Sequence, residues 1–104
     1  MKVTITGFAK RQIRETARYI QIEFGRKYRD IFLHKIQDVR QYLAENPHLG
    51  PVEPLLSGCS VTYRSVVVTK LNKMIYRIAD DKIEVVDFWD VRREPEVLAE
   101  QVKE

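Results

Sequence analysis

The second half of the chain carries five basic side chains that could bind phosphate groups: Arg64, Lys73, Arg77, Arg92 and Arg93. Lys73 and Arg77 share one face of a predicted strand, because strand side chains alternate with a period of two. Arginine can bond a phosphate in bidentate fashion, and lysine binds it as a point charge. The pattern predicts an anion-binding sheet surface. The alternative is a solvated face on which these cations pair with Glu84, Asp87 and Asp90.

No motif for metal or nucleophilic chemistry accompanies these cations. Asp87 and Asp90 are three residues apart and would point to opposite faces of a strand. Neither His34 nor His48 has metal-ligand spacing to another His or Cys, and Cys59 has no helical His nearby. We expect no metal and no cofactor. A catalyst limited to Arg, Lys and Tyr would stabilise charge while a substrate hydroxyl attacks, as in RNA cleavage by its own 2′-hydroxyl.

A second set of cations, Arg11, Arg14 and Arg18, lies along the first predicted helix, away from its apolar stripe. Arg14 and Arg18 are four residues apart, so their like charges face each other on the helix surface. These three arginines predict a face of the helix that binds a macromolecular target. The alternative is an ordinary solvated helix face.

The composition predicts one small domain that spans residues 1–104. Hydrophobic residues make up 44% of the chain, which is too many for intrinsic disorder. A single cysteine excludes an intramolecular disulfide framework and favours a reduced, cytoplasmic compartment. No signal peptide or membrane span is expected. Residues 1–93 hold 17 basic and 11 acidic side chains, and a body with this charge of +6 favours an anionic partner.

The first half of the chain predicts a strand followed by two helices. Residues 2–6 alternate as a strand does. Two helical stripes then follow, formed by Ile13, Ala17, Ile20 and Phe24 and by Tyr28, Phe32, Ile36, Val39 and Leu43. Gly25 separates them by so little that the helices should form an antiparallel hairpin, and Pro47 ends the second helix. A loop is expected over residues 46–58, held to the core by Leu49, Leu55 and Leu56.

The second half predicts three strands, over residues 61–69, 73–79 and 82–90, joined by short turns. Strict alternation would put Trp89 on the same face as Ile83 and Val85. Pro95 is expected to open a short C-terminal helix that docks through Val97, Leu98 and Val102. With the first strand at an edge of this antiparallel meander, the fold class is α+β, with a helix hairpin packed on one face of a four-stranded sheet.

Residues 73–78 and 83–95, the loop 46–50 and the pair Tyr63-Arg64 together resemble the RelE/ParE superfamily of toxins from bacterial type II toxin–antitoxin modules. The resemblance covers nearly the whole chain and rests on element order, length, the Tyr-Arg-Ile strand and the terminal Arg-Arg. It implies the same α+β fold, growth inhibition when the toxin is free, and a role of the kind known as plasmid stabilization. It also implies a cognate antitoxin protein as partner, which would bind Arg64, Lys73, Arg77, Arg92 and Arg93 where these do not bind nucleic acid.

The resemblance leaves two targets open. In the RelE-like branch, which cuts mRNA on the ribosome, the matching catalytic positions are Arg64, Lys73 and Arg93. That branch also uses a tyrosine or histidine near the C-terminus, where this chain has residues 97–99, Val-Leu-Ala. Without it, proton transfer lacks an acid or base, a contribution of about 10²–10⁴-fold. The departure favours the ParE-like branch, which inhibits DNA gyrase.

The sequence therefore predicts a toxin that binds and inhibits DNA gyrase, with Arg11, Arg14 and Arg18 as its target-binding face. The first alternative is a metal-independent, ribosome-dependent mRNA endonuclease, or mRNA interferase. The second alternative is a non-toxic basic domain that binds nucleic acid. A membrane partner is not expected.

Overall fold

The computed structural model describes residues 1–92 and confirms the predicted element order. The elements are β1 (Lys2–Ile5), α1 (Gly7–Phe24), α2 (Arg26–Glu45), a short 3₁₀ helix (Pro54–Leu56), β2 (Arg64–Val67), β3 (Asn72–Ala79) and β4 (Lys82–Asp90). The α+β prediction is thus confirmed. The C-terminal helix predicted from Pro95 onward lies outside the described residues.

Local chemistry explains where the two helices begin and end. The side chain of Thr6 accepts a hydrogen bond from the N–H of Ala9 and so caps α1. Gly25 alone joins the helices. Its φ of 96° is a backbone conformation that residues other than glycine rarely adopt. α2 stops at Asn46, directly before Pro47. Within the described chain, neither helix combines the length and apolar character needed to cross a bilayer.

The four strands form one sheet in the order β1-β4-β3-β2. β2, β3 and β4 pair antiparallel as a meander, and β1 joins its edge by pairing parallel with β4. The parallel pairing is possible because the helix hairpin returns the chain across the sheet between β1 and the meander. The edge position predicted for the first strand is confirmed.

The sheet has two covered faces. On the helix-covered face, Met74, Tyr76 and Phe88 pack with buried residues of both helices, including Ile13 and Phe32. On the loop-covered face, the loop between α2 and β2 lies over the sheet. There Leu56 and Tyr63 pack on Ile75 and Trp89 in a second, smaller core.

A β-bulge in β4 overturns the predicted orientation of Trp89. The register runs Ile75↔Asp87 and then Tyr76↔Val85, so Val86 is an extra residue with no partner in β3. One inserted residue reverses the alternation beyond it. Trp89 consequently faces the loop, whereas Ile83 and Val85 face the helices.

Three further sequence predictions need correction. β2 is only Arg64–Val67, because residues before it pack as loop, with Tyr63 accepting a bond from the N–H of Glu53. Leu49 and Leu55 are exposed, and only Leu56 of the three loop leucines is buried. Phe24 and Tyr28 are 62% and 56% exposed, because the turn end of the hairpin extends past the buried core.

Candidate functional site

On the loop-covered face, Lys73 is bound by a buried carboxylate. Lys73 lies on β3 between Val67 of β2 and Trp89 of β4. Its Nζ donates to Oε1 of Glu53 in a close ion pair. The Glu53 side chain is fully enclosed, and that of Lys73 is 17% exposed. Glu53 therefore places a negative charge where a phosphate would have to approach Lys73.

The loop holds Glu53 in its ionised form. Its Oε2 accepts a 2.9 Å bond from the N–H of Leu55 at the start of the 3₁₀ helix, and Ser65 of β2 donates a further bond. Burial by itself would raise the pKa of Glu53. The hydrogen bonds and the charge of Lys73 together outweigh burial, so the pKa lies below its ordinary value of 4.5.

Arg64 lies on the other face of the sheet from Lys73. Arg64 is directly opposite Tyr76 across the β2–β3 pairing, and directly opposite residues of an antiparallel pair share a face. Tyr76 belongs to the helix-covered core. The guanidinium of Arg64 donates a 2.9 Å bond to the carbonyl oxygen of Gly50. Two of the three residues that the sequence proposes as catalytic thus point away from each other.

Arg77 and Arg92, the other described members of the predicted set, are also engaged. Arg77 shares the face of Lys73, as predicted, and its Nε bonds Glu84 at 3.1 Å. Arg92 follows β4 and binds both carboxylate oxygens of Asp90, at 3.0 and 2.7 Å. Arg93 lies outside the described residues. The described cations form separate pairs rather than one concentrated positive surface.

The cations of α1 are arranged differently, since Arg11, Arg14 and Arg18 are all exposed. Arg11 lies over the ring of Phe8, with its guanidinium carbon 5.9 Å from the ring centroid. No ion pair is found for these three arginines within the described chain. All three guanidinium groups thus lie on the exposed surface of α1 without an acidic partner among the described residues.

Arg14 also lines a groove between α1 and α2, which we call the basic groove. It encloses about 490 Å³. Its apolar lining comes from Ile5, Ile13, Leu33 and Ile36, and its polar lining from Lys10, Arg14, His34, Gln37 and Arg40. Acidic side chains are absent from the described residues that line it. A groove with this lining suits an acidic segment that also carries apolar side chains.

A clamp built on Tyr76 holds the start of the loop, and sequence reasoning missed it. The buried Tyr76 hydroxyl donates to the carbonyl oxygen of Pro47 and accepts from the N–H of Gly50, both at 2.9 Å. Burial raises the pKa of Tyr76 above its ordinary value of 10.0, against smaller opposing effects of Gly50 and Arg64. The hydroxyl therefore stays protonated and makes both bonds.

Neither this clamp nor the role of Glu53 has a local sequence signal. Both depend on contacts between residues 20 or more positions apart. The proline-rich composition around Pro47 predicts a loop but not where the loop lies. A single acidic residue between a valine and a proline, as at Glu53, indicates only an ordinary loop residue.

Tyr76→Phe is expected to lower the free energy of unfolding by about 2 kcal/mol, because it leaves the buried N–H of Gly50 without its hydrogen-bond acceptor. Urea unfolding at pH 7 measures the change. Tyr42→Phe, at an exposed position of α2, is the matched control and should change the free energy by less than about 0.5 kcal/mol. Equal effects of the two substitutions would contradict the clamp.

Among residues 1–92, no three His, Cys, Asp or Glu side chains come together in a way that could hold a metal ion. Asp87 is fully buried on the loop-covered face opposite Ile75, and Asp90 binds Arg92. What the described side chains can do is bind anionic or acidic partners through α1 and the basic groove.

The fold is shared with solved toxin structures. The match to a chain of "Chromosomal ParDE TA system from P. aeruginosa" covers 86% of this chain and 95% of that one, with a TM-score of 0.71 and 13% identity. A YoeB/ParE toxin from Agrobacterium tumefaciens matches with a TM-score of 0.57 and 22% identity, over 86% of this chain and 98% of that one. The YoeB dimer from Staphylococcus aureus also gives 0.57, with 20% identity over 85% of this chain and 93% of that one.

No curated protein matches the sequence at a significant level. The family evidence comes from a model of the ParE toxin of the type II toxin–antitoxin system parDE, which matches residues 3–95. That match includes every described strand and helix apart from Lys2, the first residue of β1. The chain therefore belongs to the ParE toxin family, within the RelE/ParE superfamily of type II toxins.

Proposed function

We propose that this toxin arrests growth by binding and inhibiting DNA gyrase, and not by cutting mRNA. The observation that carries the proposal is the separation of Arg64 and Lys73. Pairing places them on opposite faces of the sheet, and each is bonded within the chain. This arrangement argues against contact of one phosphodiester with both side chains.

The electrostatics of Lys73 support the same conclusion. Transition-state stabilisation needs donors aimed at the developing charge in a preorganised site. Lys73 is already matched by an enclosed carboxylate, so a second anion at this position would lie beside the negative charge of Glu53. The lack of Tyr or His at residues 97–99 removes a proton donor as well.

The exposed arginines of α1 support a binding function. Arg11, Arg14 and Arg18 are exposed on one helix, and none of them forms an ion pair with another described residue. Such a surface accelerates association with an acidic or nucleic-acid-bound target and fixes its orientation. We assign the gyrase contact to this face.

A cognate antitoxin is the second partner, and we assign its acidic, apolar segment to the basic groove. Apolar side chains of the segment would pack on Ile13 and Leu33 while its carboxylates meet Lys10 and Arg40. Arg14 belongs both to this groove and to the target-binding face. A bound antitoxin would therefore cover part of the surface that contacts the target and would neutralise the toxin by occlusion.

Two assays with the purified chain test the target. We expect inhibition of gyrase-catalysed supercoiling, and unchanged mRNA 5′ ends in a bacterial cell-free translation reaction. New 5′ ends at ribosome-occupied codons would instead make the protein an mRNA interferase. If the purified chain left both reactions unaffected but bound nucleic acid, it would be a non-toxic nucleic-acid-binding domain.

The double variant Arg11→Ala/Arg14→Ala should weaken gyrase inhibition at least tenfold if α1 contacts the target. Its matched control is Arg26→Ala/Lys27→Ala, which removes the same charge from exposed positions of α2. Equal inhibition by the two variants would overturn the assignment of the target-binding face. Circular dichroism and urea unfolding of both variants check that they remain folded.

A further inference from the structure

A second groove lies on the other side of α1, between its C-terminal half and the β2–β3 turn. We call it the apolar groove. It encloses about 470 Å³, and its apolar lining comes mainly from Ile20, Phe24, Phe32, Leu71 and Phe88. A neighbouring hollow shares Ile20, Phe24 and Phe32 and extends the surface to Tyr28 and Ile31.

The rim of this groove exposes an unusual amount of aromatic surface. Tyr19, Phe24 and Tyr28 are each more than half exposed. Their rings touch edge to face, with centroids 6.4 Å apart for Tyr19 and Phe24 and 6.5 Å apart for Phe24 and Tyr28. A contiguous apolar surface of this kind is typical of a site that another segment covers.

The described chain leads directly into the apolar groove. Asp90 and Arg92 both line it. The N–H of Val91 bonds the carbonyl oxygen of Leu71 at 2.9 Å, and the N–H of Arg92 bonds Asp90 at 2.9 Å. These bonds hold Arg92, the last described residue, at the mouth of the groove.

We propose that residues 93–104 of the same chain occupy the apolar groove. This segment supplies three apolar side chains, Val97, Leu98 and Val102, within ten residues of Arg92. Residues 94–104 also carry four acids and one base, so their net charge opposes the +6 of residues 1–93. The charge attraction is with the body as a whole, because the charged lining of the groove itself is Glu15, Asp90 and Arg92. The match of apolar side chains to apolar lining therefore carries the assignment.

The segment is long enough to follow the groove. Gln12 and Phe24, at the ends of the α1 stretch that lines it, are twelve residues apart, which is about 18 Å along a helix. Twelve residues can span roughly 18 Å as a helix and about 40 Å when extended. Attachment at the mouth gives an effective concentration on the order of millimolar, which favours the chain's own segment over a second copy.

Site-directed crosslinking of the full chain tests this proposal, which does not depend on the gyrase or antitoxin assignments. In a Cys59→Ser background, Leu98→Cys is combined with Thr16→Cys in the apolar groove. The matched control combines Leu98→Cys with Leu33→Cys, which lines the basic groove on the other side of the hairpin. A short bis-maleimide is added at micromolar protein concentration.

We expect crosslinking within the monomer to be at least tenfold faster for the Thr16→Cys pair than for the control. Adding Val97→Asp and Val102→Asp should remove this advantage, because carboxylates do not enter an apolar groove. Equal rates for the two pairs would overturn the proposal. Crosslinks found only between chains would overturn it too, and would assign the groove to a second copy.

Discussion

Replacing Gly50 by alanine is expected to lower the free energy of unfolding by about 3 kcal/mol, near the upper end of the cost of overpacking. A Cβ atom at this position would lie 2.1 Å from the carbonyl oxygen of Ser65 and 3.2 Å from Cε1 of Tyr76. The first contact is with backbone of β2, which cannot rotate away. The loop would have to leave the sheet edge instead.

The loss extends beyond the clash, because Gly50 takes part in two other contacts. Its N–H bonds the Tyr76 hydroxyl, and its carbonyl oxygen accepts from Arg64. Displacing the loop breaks both bonds. For a domain of this size the expected fall in Tm is roughly 12–24 °C, measured by thermal unfolding.

Gly58→Ala is the matched control for this substitution. Gly58 lies in the same loop, and an added Cβ would meet nothing within 4 Å. We expect a change of less than about 0.5 kcal/mol. If Gly50→Ala were equally mild, the close approach of the loop to β2 would be wrong.

Glu53→Gln is expected to cost about 3 kcal/mol at pH 7, because removing one partner of a buried ion pair leaves the other charge uncompensated. Lys73, at 17% exposure, has little water to replace the lost carboxylate. Glu45→Gln, at an exposed position of α2, is the control. Urea unfolding should show almost no change for it.

The double variant Glu53→Gln/Lys73→Met should recover part of the lost stability, since it removes both charges. Recovery would identify Lys73 as a structural cation. A double variant that is less stable than Glu53→Gln by the full cost of Lys73→Met alone would show that the two residues do not interact.

The pH dependence has a defined sign. Because the pKa of Glu53 is lower in the folded state than its ordinary value of 4.5, the contribution of this group to stability is complete above about pH 4.5. It is lost as the pH falls through the lower folded value. The difference in unfolding free energy between the wild type and Glu53→Gln should therefore narrow between pH 5 and pH 3. A difference that stays constant over this range would contradict the assigned ionisation.

Much of the architecture was accessible from pattern alone. The helical spacing of Ile13 and Ala17, the glycine at position 25 and the proline at position 47 predicted the helix hairpin, since each acts through local backbone sterics. The short turn expected between the strands at residues 73–79 and 82–90 predicted the boundary between β3 and β4. The edge position of β1 was predictable because β1 has no neighbouring strand in the sequence and so has to pair at an edge of the meander.

The candidate site was less accessible, and the bulge shows why. Strict alternation put Trp89 with Ile83, but Val86 shifts the register by one residue and reverses the faces beyond it. Likewise, the sequence predicted that Arg64 and Lys73 belong to one basic surface. Strand pairing puts them on opposite faces, a relation that depends on register between strands and not on residue type.

The order of strands and helices, the positive charge of the body and the arginine row on α1 are therefore properties of the sequence itself, because they depend on local periodicity and composition. The partners of the sheet cations were decided by tertiary structure. Glu53 reaches Lys73 across twenty residues, and Gly50 fits against Ser65 and Tyr76 only once the loop lies on the sheet. Such contacts form between segments that chain connectivity leaves far apart, so no local pattern encodes them.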